Sequence, residues 1–221
     1  MSIQENLETI KSKIPEHITL VAVSKTKPVS DLMEAYNADQ RIFGENRVQE
    51  LVEKQATLPK DIEWHLIGHL QTNKVKYIAA FVDMIHSGDR LSLLKEINKE
   101  AIKSDTKIDV LLQIKIAQEE SKHGWDYSQL KDELSKGMLD KFENINFRGV
   151  MGMATFTDDD AQVTQEFTNL KTYFDHLKSN YFFENSAFDK ISMGMSGDYK
   201  LAVNSGSNMI RVGSLLFGKR I

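Results

Sequence analysis

Ile18-Thr19-Leu20-Val21-Ala22-Val23-Ser24-Lys25-Thr26-Lys27-Pro28 is a short apolar run closed by a lysine. Its β-branched residues and the turn signal at Pro28 predict a buried strand. The residues that follow it, Ser24 to Lys27, include no glycine. That bears directly on the fold. An open, doubly wound sheet places its glycine-rich phosphate turn straight after the first strand. Here the glycines suited to phosphate cluster after the last two strand candidates, where closed barrels commonly put such a site.

Working outward, apolar runs at 19–24, 41–44, 63–68, 84–87, 108–116, 147–154, 190–195 and 209–217 alternate with helix-period segments. The clearest helical period is Leu91, Leu94, Ile97, Ala101 and Ile102, with Asp89 placed as its N-cap. Val75, Ile78 and Ala79 mark another helix, and an amphipathic helix over 3–14 precedes everything and stops before Pro15. Eight alternating units argue for parallel strands with right-handed crossovers. We read an α/β fold: a single (β/α)8 TIM-type barrel over residues 1–221 with an additional N-terminal helix. No low-complexity segment or Pro/Gly/Ser linker divides it.

Composition narrows the function classes. Hydrophobic residues make up 41% of the 221, enough for a substantial core. A net charge of -4 lacks the basic field of a nucleic-acid-binding protein. The absence of cysteine excludes disulfides, thiolate metal sites and a thiol nucleophile. The N-terminus has neither the basic start nor the apolar segment of a signal peptide, and no apolar stretch reaches the roughly 20 residues of a membrane span. The expectation is a soluble cytoplasmic protein, monomeric by default, with no membrane or nucleic-acid partner.

Lys25 admits two readings. An ammonium in a buried strand is costly without a partner and loses its proton readily on desolvation, which suits a Schiff-base amine. A strand-end lysine snorkelling to water is the competing explanation.

The segment Ile191-Ser192-Met193-Gly194-Met195-Ser196-Gly197-Asp198 follows one strand and leads into a short helix over 199–203. Its small residues let backbone N–H groups face an anion, and Ser196 adds a hydroxyl. An ordinary strand-to-helix turn capped by Ser196 fits the same residues. Arg211 lies inside the last apolar run, with Gly213 and Ser214 just beyond. An arginine in a barrel strand needs an acceptor, because it does not lose its proton. The acceptor is either a neighbouring strand's acid, such as Glu45, or a cofactor ring. Asn46 sits at a strand-to-helix junction as a cap or a ligand contact. His65 and His69 have the spacing of a metal pair but lack the zincin glutamate, so His65 is read as a pocket-lining or core histidine and no metal is assigned. Asp158-Asp159-Asp160 reads as a solvated helix start.

A strand-end lysine, a phosphate-capable turn and a strand-borne arginine would meet on one rim of a barrel. Pyridoxal phosphate asks for these functions: an amine for the aldimine, donors for the phosphate and a polar partner at the pyridine nitrogen. An arginine there keeps that nitrogen unprotonated and weakens the ring as an electron sink.

Several stretches, in order, resemble the pyridoxal phosphate homeostasis protein family, whose barrel is similar to that of alanine racemases. They are Val21-Ala22-Val23-Ser24-Lys25, Phe43-Gly44-Glu45-Asn46-Arg47-Val48-Gln49-Glu50, Trp64-His65-Leu66-Ile67-Gly68-His69-Leu70-Gln71-Thr72-Asn73-Lys74, Arg148-Gly149-Val150-Met151, Ser192-Met193-Gly194-Met195-Ser196 and Arg211-Val212-Gly213. The resemblance implies a covalent pyridoxal 5'-phosphate aldimine at Lys25, phosphate held by Ser196, Gly213 and Ser214, and Arg211 at the pyridine nitrogen. With Asn46, His65 and Met195, these make the candidate cofactor-binding set. Asn208 departs from the family, which often has threonine there. The racemases carry a further domain that supplies a tyrosine base, and this chain ends soon after its last strand. The expectation is therefore a cofactor carrier, with pyridoxal phosphate-dependent apoenzymes as recipients, and not an enzyme. An amino-acid racemase or transaldimination enzyme and a Schiff-base aldolase are the alternatives.

Overall fold

In the computed structural model, which describes residues 2–118 and 123–218, eight parallel strands pair in chain order and close into a barrel. They are β1 (Thr19–Val23), β2 (Ile42–Glu45), β3 (Glu63–Leu66), β4 (Met84–Gly88), β5 (Ile108–Gln113), β6 (Ile145–Met151), β7 (Lys190–Met195) and β8 (Met209–Val212). β8 lies parallel to β1, with Val21 opposite Arg211 and Ala22 opposite Val212, which completes the ring. The helices are α1 (Ile3–Lys11), α2 (Val29–Asn37), α3 (Val48–Thr57), α4 (Leu91–Lys103), α5 (Tyr127–Ser135), α6 (Asp160–Asn180), α7 (Tyr199–Asn204) and α8 (Ser214–Phe217). This is the expected TIM-type barrel. No helix among the described residues is long and apolar enough to cross a membrane.

Strand alternation builds two cores. Leu20, Ala22, Ile210 and Val212 face outward into the large cluster shared with the helices. Val21, Met84, Leu111, Met151 and Met209 form a small separate cluster inside the barrel. Two residues on along β4 and β8, Met84 and Met209 give way to His86 and Arg211, and His65 and Ser192 join them as buried polar residues.

Local chemistry corrects several expectations. The last apolar run is not one strand: β8 stops at Val212, Gly213 breaks it, and the remainder forms α8. Leu216 and Phe217 are buried there, and Asn6 on α1 donates to the Leu216 carbonyl at 3.0 Å. The segment marked by Val75 and Ile78 is a 3-10 helix, Thr72–Tyr77. β5 ends at Gln113, and Ile114 makes one isolated bridge to Trp125. The residue before α4 in the cap position is Arg90, not Asp89; the Asp89 carboxylate is instead taken by Arg90 and His69. Asp159 does cap α6, accepting from Ala161 and Gln162 N–H.

The C-terminal ends of β1 and β2 are locked by a buried ion pair. Glu45, fully buried, accepts from Ser24 Oγ at 2.6 Å and from Lys54 Nζ at 2.7 Å. Lys54 also donates to the Ser24 carbonyl at 2.8 Å. Burial pushes the Glu45 carboxyl above its usual range, and the hydrogen bonds from Lys54 and Ser24 pull against that. Removing one partner strands the other charge in the interior. Lys54→Met is expected to lower unfolding stability in urea by about 3–5 kcal/mol, with Lys54→Met/Glu45→Met recovering part of it. A loss under about 1 kcal/mol, the range of surface pairs, would show that the pair does not lock the two strands.

Candidate functional site

A cavity of about 450 Å³ opens at the C-terminal rim of the barrel, where the ends of β1, β2, β7 and β8 meet. Lys25, Asn46, Met195, Ser196, Arg211, Gly213 and Ser214 all line it. Val23 and Ile67 add apolar wall. Lys25 lies two residues beyond β1 and is half-buried. Its place at the rim therefore comes from the turn after the strand, not from full desolvation within it. That turn is held tightly. Thr26 has φ 64°, a left-handed conformation that strains a β-branched residue. Its N–H donates to Glu50 Oε2 at 2.7 Å, and Lys27 N–H returns to the Ser24 carbonyl at 3.0 Å.

On the β7–β8 side, Ser196 does not cap α7; Asp198 occupies the cap position. The Ser196 hydroxyl oxygen instead accepts from Gly213 N–H at 3.2 Å, so the two expected phosphate donors face each other. Asp198 Oδ1 accepts from Met195 N–H and shapes the same turn. A Cβ on Gly213 would lie 3.1 Å from the Val23 carbonyl oxygen, so the bare backbone lets the end of β8 close onto the end of β1. Asn46 is seated in the same way. It is not the α3 cap, a position taken by Arg47, and its carbonyl would lie 2.4 Å from a Cβ on Gly68.

Arg211 is buried and lines the cavity. It donates to Ser192 Oγ at 2.6 Å and to the Gly152 carbonyl at 3.1 Å. Among the described residues it forms no ion pair with any carboxylate, and Glu45 is committed to Lys54. Burial pulls the guanidinium down to about 10, which still leaves it charged at neutral pH.

His65 is not at the cavity wall. It lies below, at the end of a hydrogen-bonded line: Arg211 to Ser192, Ser192 Oγ to His86 Nδ1 at 3.0 Å, and His86 Nε2 to His65 Nδ1 at 3.0 Å. A guanidinium only donates, so Ser192 Oγ is the acceptor at the arginine end, and the two histidines continue the line through their ring nitrogens. His86 and Ser192 went unassigned in the sequence. The alternation Met84, His86 within an apolar run was the one signal that pointed His86 inward. Asn208 turns out to be at the opposite end, before β8, bonded to Ile191 N–H and the Asp189 carbonyl. The departure from the family at that position is remote from the cavity.

Comparison with known proteins follows the same lines. The family profile of the alanine racemase N-terminal domain matches residues 1–220. The chain is 40% identical over 202 residues to the pyridoxal phosphate homeostasis protein of Aquifex aeolicus (strain VF5), covering 91% of this chain and 86% of that one. It is 38% identical over 235 residues to the protein of that name from Pasteurella multocida (strain Pm70), covering 100% and 98%. Among solved structures, PipY of Synechococcus elongatus PCC7942 without PLP superposes with a TM-score of 0.92 at 37% identity, over 98% of this chain and 100% of that one. The same protein with PLP bound gives 0.89 at 36%, over the same shares of the two chains.

The buried histidines make stability depend on pH. Burial holds His65 down to about 3 and His86 well below its ordinary value. Both are neutral in the fold, while the unfolded chain takes up protons near pH 6.5. Stability therefore falls as pH drops below about 6.5, because only the unfolded state gains the protons. Between pH 7.5 and 5.5 each histidine is expected to remove about 1.3 kcal/mol. Urea unfolding at the two pH values reads this, and His65→Gln is expected to halve the slope. An unchanged slope would mean that the pair is not held neutral.

Proposed function

The chain belongs to the pyridoxal phosphate homeostasis protein family, on the alanine racemase N-terminal fold, and from that premise we propose that it holds pyridoxal 5'-phosphate in the rim cavity as an aldimine with Lys25. The observation that carries this is Arg211. It is a buried guanidinium with no carboxylate partner among the described residues, and it opens on the same cavity as Lys25 and the small residues Ser196, Gly213 and Ser214. A buried guanidinium that hydrogen-bonds no carboxylate, with Asp198 acting on it only through charge, suits an acceptor brought from outside the chain. A volume of about 450 Å³ suits a small cofactor.

The residues divide the work. Lys25 supplies the amine. Ser196 Oγ and the backbone N–H groups of Gly213 and Ser214 are directed to phosphate, which replaces the bond that Gly213 and Ser196 make with each other. These are individual donors; α8 is too short to add a helix dipole. Arg211 donates to the pyridine nitrogen, held in place by Ser192 and the Gly152 carbonyl. Asn46 and Met195 flank the ring from opposite sides of the cavity mouth. His65 acts from beneath, through His86 and Ser192, by supporting the side chain that holds Arg211.

We assign the role of a carrier that buffers and delivers the cofactor in the cytoplasm, to the benefit of vitamin B6 and amino-acid balance, with pyridoxal phosphate-dependent apoenzymes as recipients. The whole chain acts as one domain, monomeric by default.

Loading the protein with pyridoxal phosphate, reducing with borohydride and mapping peptides tests the amine. The label is expected on Lys25 and is lost in Lys25→Ala, which keeps its fold by circular dichroism. Label on Lys27 or Lys74 would contradict the assignment. Arg211→Ala is expected to weaken cofactor retention by roughly tenfold to a hundredfold, the worth of a hydrogen bond to a charged group, while the aldimine still forms. An unchanged dissociation constant would remove Arg211 from the ring.

A further inference from the structure

Away from the cofactor cavity, three side chains of metal-ligand type meet on the rim. His69 follows β3, Asp89 directly follows β4, and His123 lies between β5 and α5. Three consecutive strands thus deliver them to one end of the barrel. One ligand atom from each lies within 4.8 Å of the other two. The His69 and His123 rings stack, with centroids 3.8 Å apart and planes inclined by 19°. His69 Nδ1 is 3.2 Å from Asp89 Oδ2.

We propose that His69, Asp89 and His123 form a binding site for a borderline divalent transition-metal ion of the zinc type. The donor set is two imidazole nitrogens and one carboxylate oxygen, which suits zinc, cobalt, nickel or copper over magnesium or calcium. Bonds of 2.0–2.1 Å in tetrahedral geometry put neighbouring ligand atoms about 3.3 Å apart. Two stacked rings do not aim their in-plane nitrogen lone pairs at one point, so binding turns an imidazole out of the stack, which its exposed position allows; the His69 side chain is 35% exposed. The carboxylate is already positioned. Its side chain is only 4% exposed, and Arg90 holds Oδ1 while itself fixed to the Leu70 carbonyl at 2.9 Å. Oδ2 is left toward His69. Such outer partners orient metal ligands. Gln113 Nε2 donates to the His123 carbonyl at 2.9 Å and anchors that loop. Three protein ligands leave the remaining positions to water. The ion would tie the loops after β3, β4 and β5 together, in place of the direct contact between His69 and Asp89.

The test is calorimetric titration of the chelator-treated full chain with zinc chloride, alongside magnesium chloride. One zinc ion per chain is expected to bind and raise the melting temperature, by the linkage between ligand binding and stability. Magnesium is expected to do neither. His69→Ala and His123→Ala are each expected to weaken zinc binding by about a hundredfold or more, at or above the upper end of what loss of an outer partner costs. His17→Ala and His176→Ala, at exposed positions elsewhere, should leave it unchanged. Should either ligand variant unfold, Asp89→Asn in the same assay and cobalt absorption of the native chain give the same decision. Zinc binding that survives loss of both His69 and His123, absence of a saturable one-to-one isotherm, or equal binding of magnesium would overturn the proposal.

Discussion

The parallel pairing of β1 with β8 is the constraint from which the rest of the structure follows. It sets Val21 opposite Arg211 and Ala22 opposite Val212. The ends of the two strands then fall together, so a lysine two residues past β1 and a glycine one residue past β8 share a rim although 187 residues of chain lie between them. Gly213 makes the approach possible, since a side chain there would press on the Val23 carbonyl. A second lock acts one strand over. The buried Glu45–Lys54 pair grips Ser24 by both its hydroxyl and its carbonyl, so the residue before Lys25 has little freedom. Glu50 extends the grip to Thr26. A left-handed threonine is a strained way to make a turn, and strain of this kind persists where the surroundings over-determine it.

Beneath the rim, the barrel interior is layered by polarity. The lower layer is aliphatic and methionine-rich, and the layer above it is a continuous hydrogen-bonded line from Arg211 through Ser192 and His86 to His65. Placing a guanidinium there is costly, and two neutral histidines do not repay its charge. They repay its geometry. Ser192 and His86 each have a partner on both sides, and the line ends on the guanidinium. The charge itself is left to be met from the cavity side. The interior thus presents one fixed cation to whatever occupies the rim, with its orientation determined before any ligand arrives.

Much of this was legible in the sequence, and the failures have physical reasons. Eight alternating units and the missing glycine turn after β1 identify the barrel, because period and turn chemistry are local properties. The run from Met209 to Phe217 misled, since a short buried helix and a buried strand have the same apolar look; Gly213 is the only punctuation between them. His65 shows the limit of parity. Alternation says that it points inward, as Ile67 does, but two residues are roughly 6.6 Å along a strand, and that height separates the cavity wall from the core. The Ser192–His86–His65 line joins three strands across the barrel, and no spacing in the chain encodes it. Asp89 reads as a helix cap by position, yet Arg90 and His69 compete for its carboxylate and win.

The central claim is a two-point hold, an amine on one side of the cavity and a phosphate cradle on the other, brought together by barrel closure. Absorbance titration of the cofactor-free chain with pyridoxal 5'-phosphate and, separately, with 5'-deoxypyridoxal addresses it most directly, because the two ligands share a free aldehyde and differ in the phosphate. One equivalent of the phosphorylated ligand should develop the visible band of an internal Schiff base, with 5'-deoxypyridoxal binding weaker by about a hundredfold or more, the loss of charge-assisted donors worth at least ~3 kcal/mol. Equal affinity for the two ligands would mean that the Ser196–Ser214 rim holds no phosphate, and the two-point hold would be wrong.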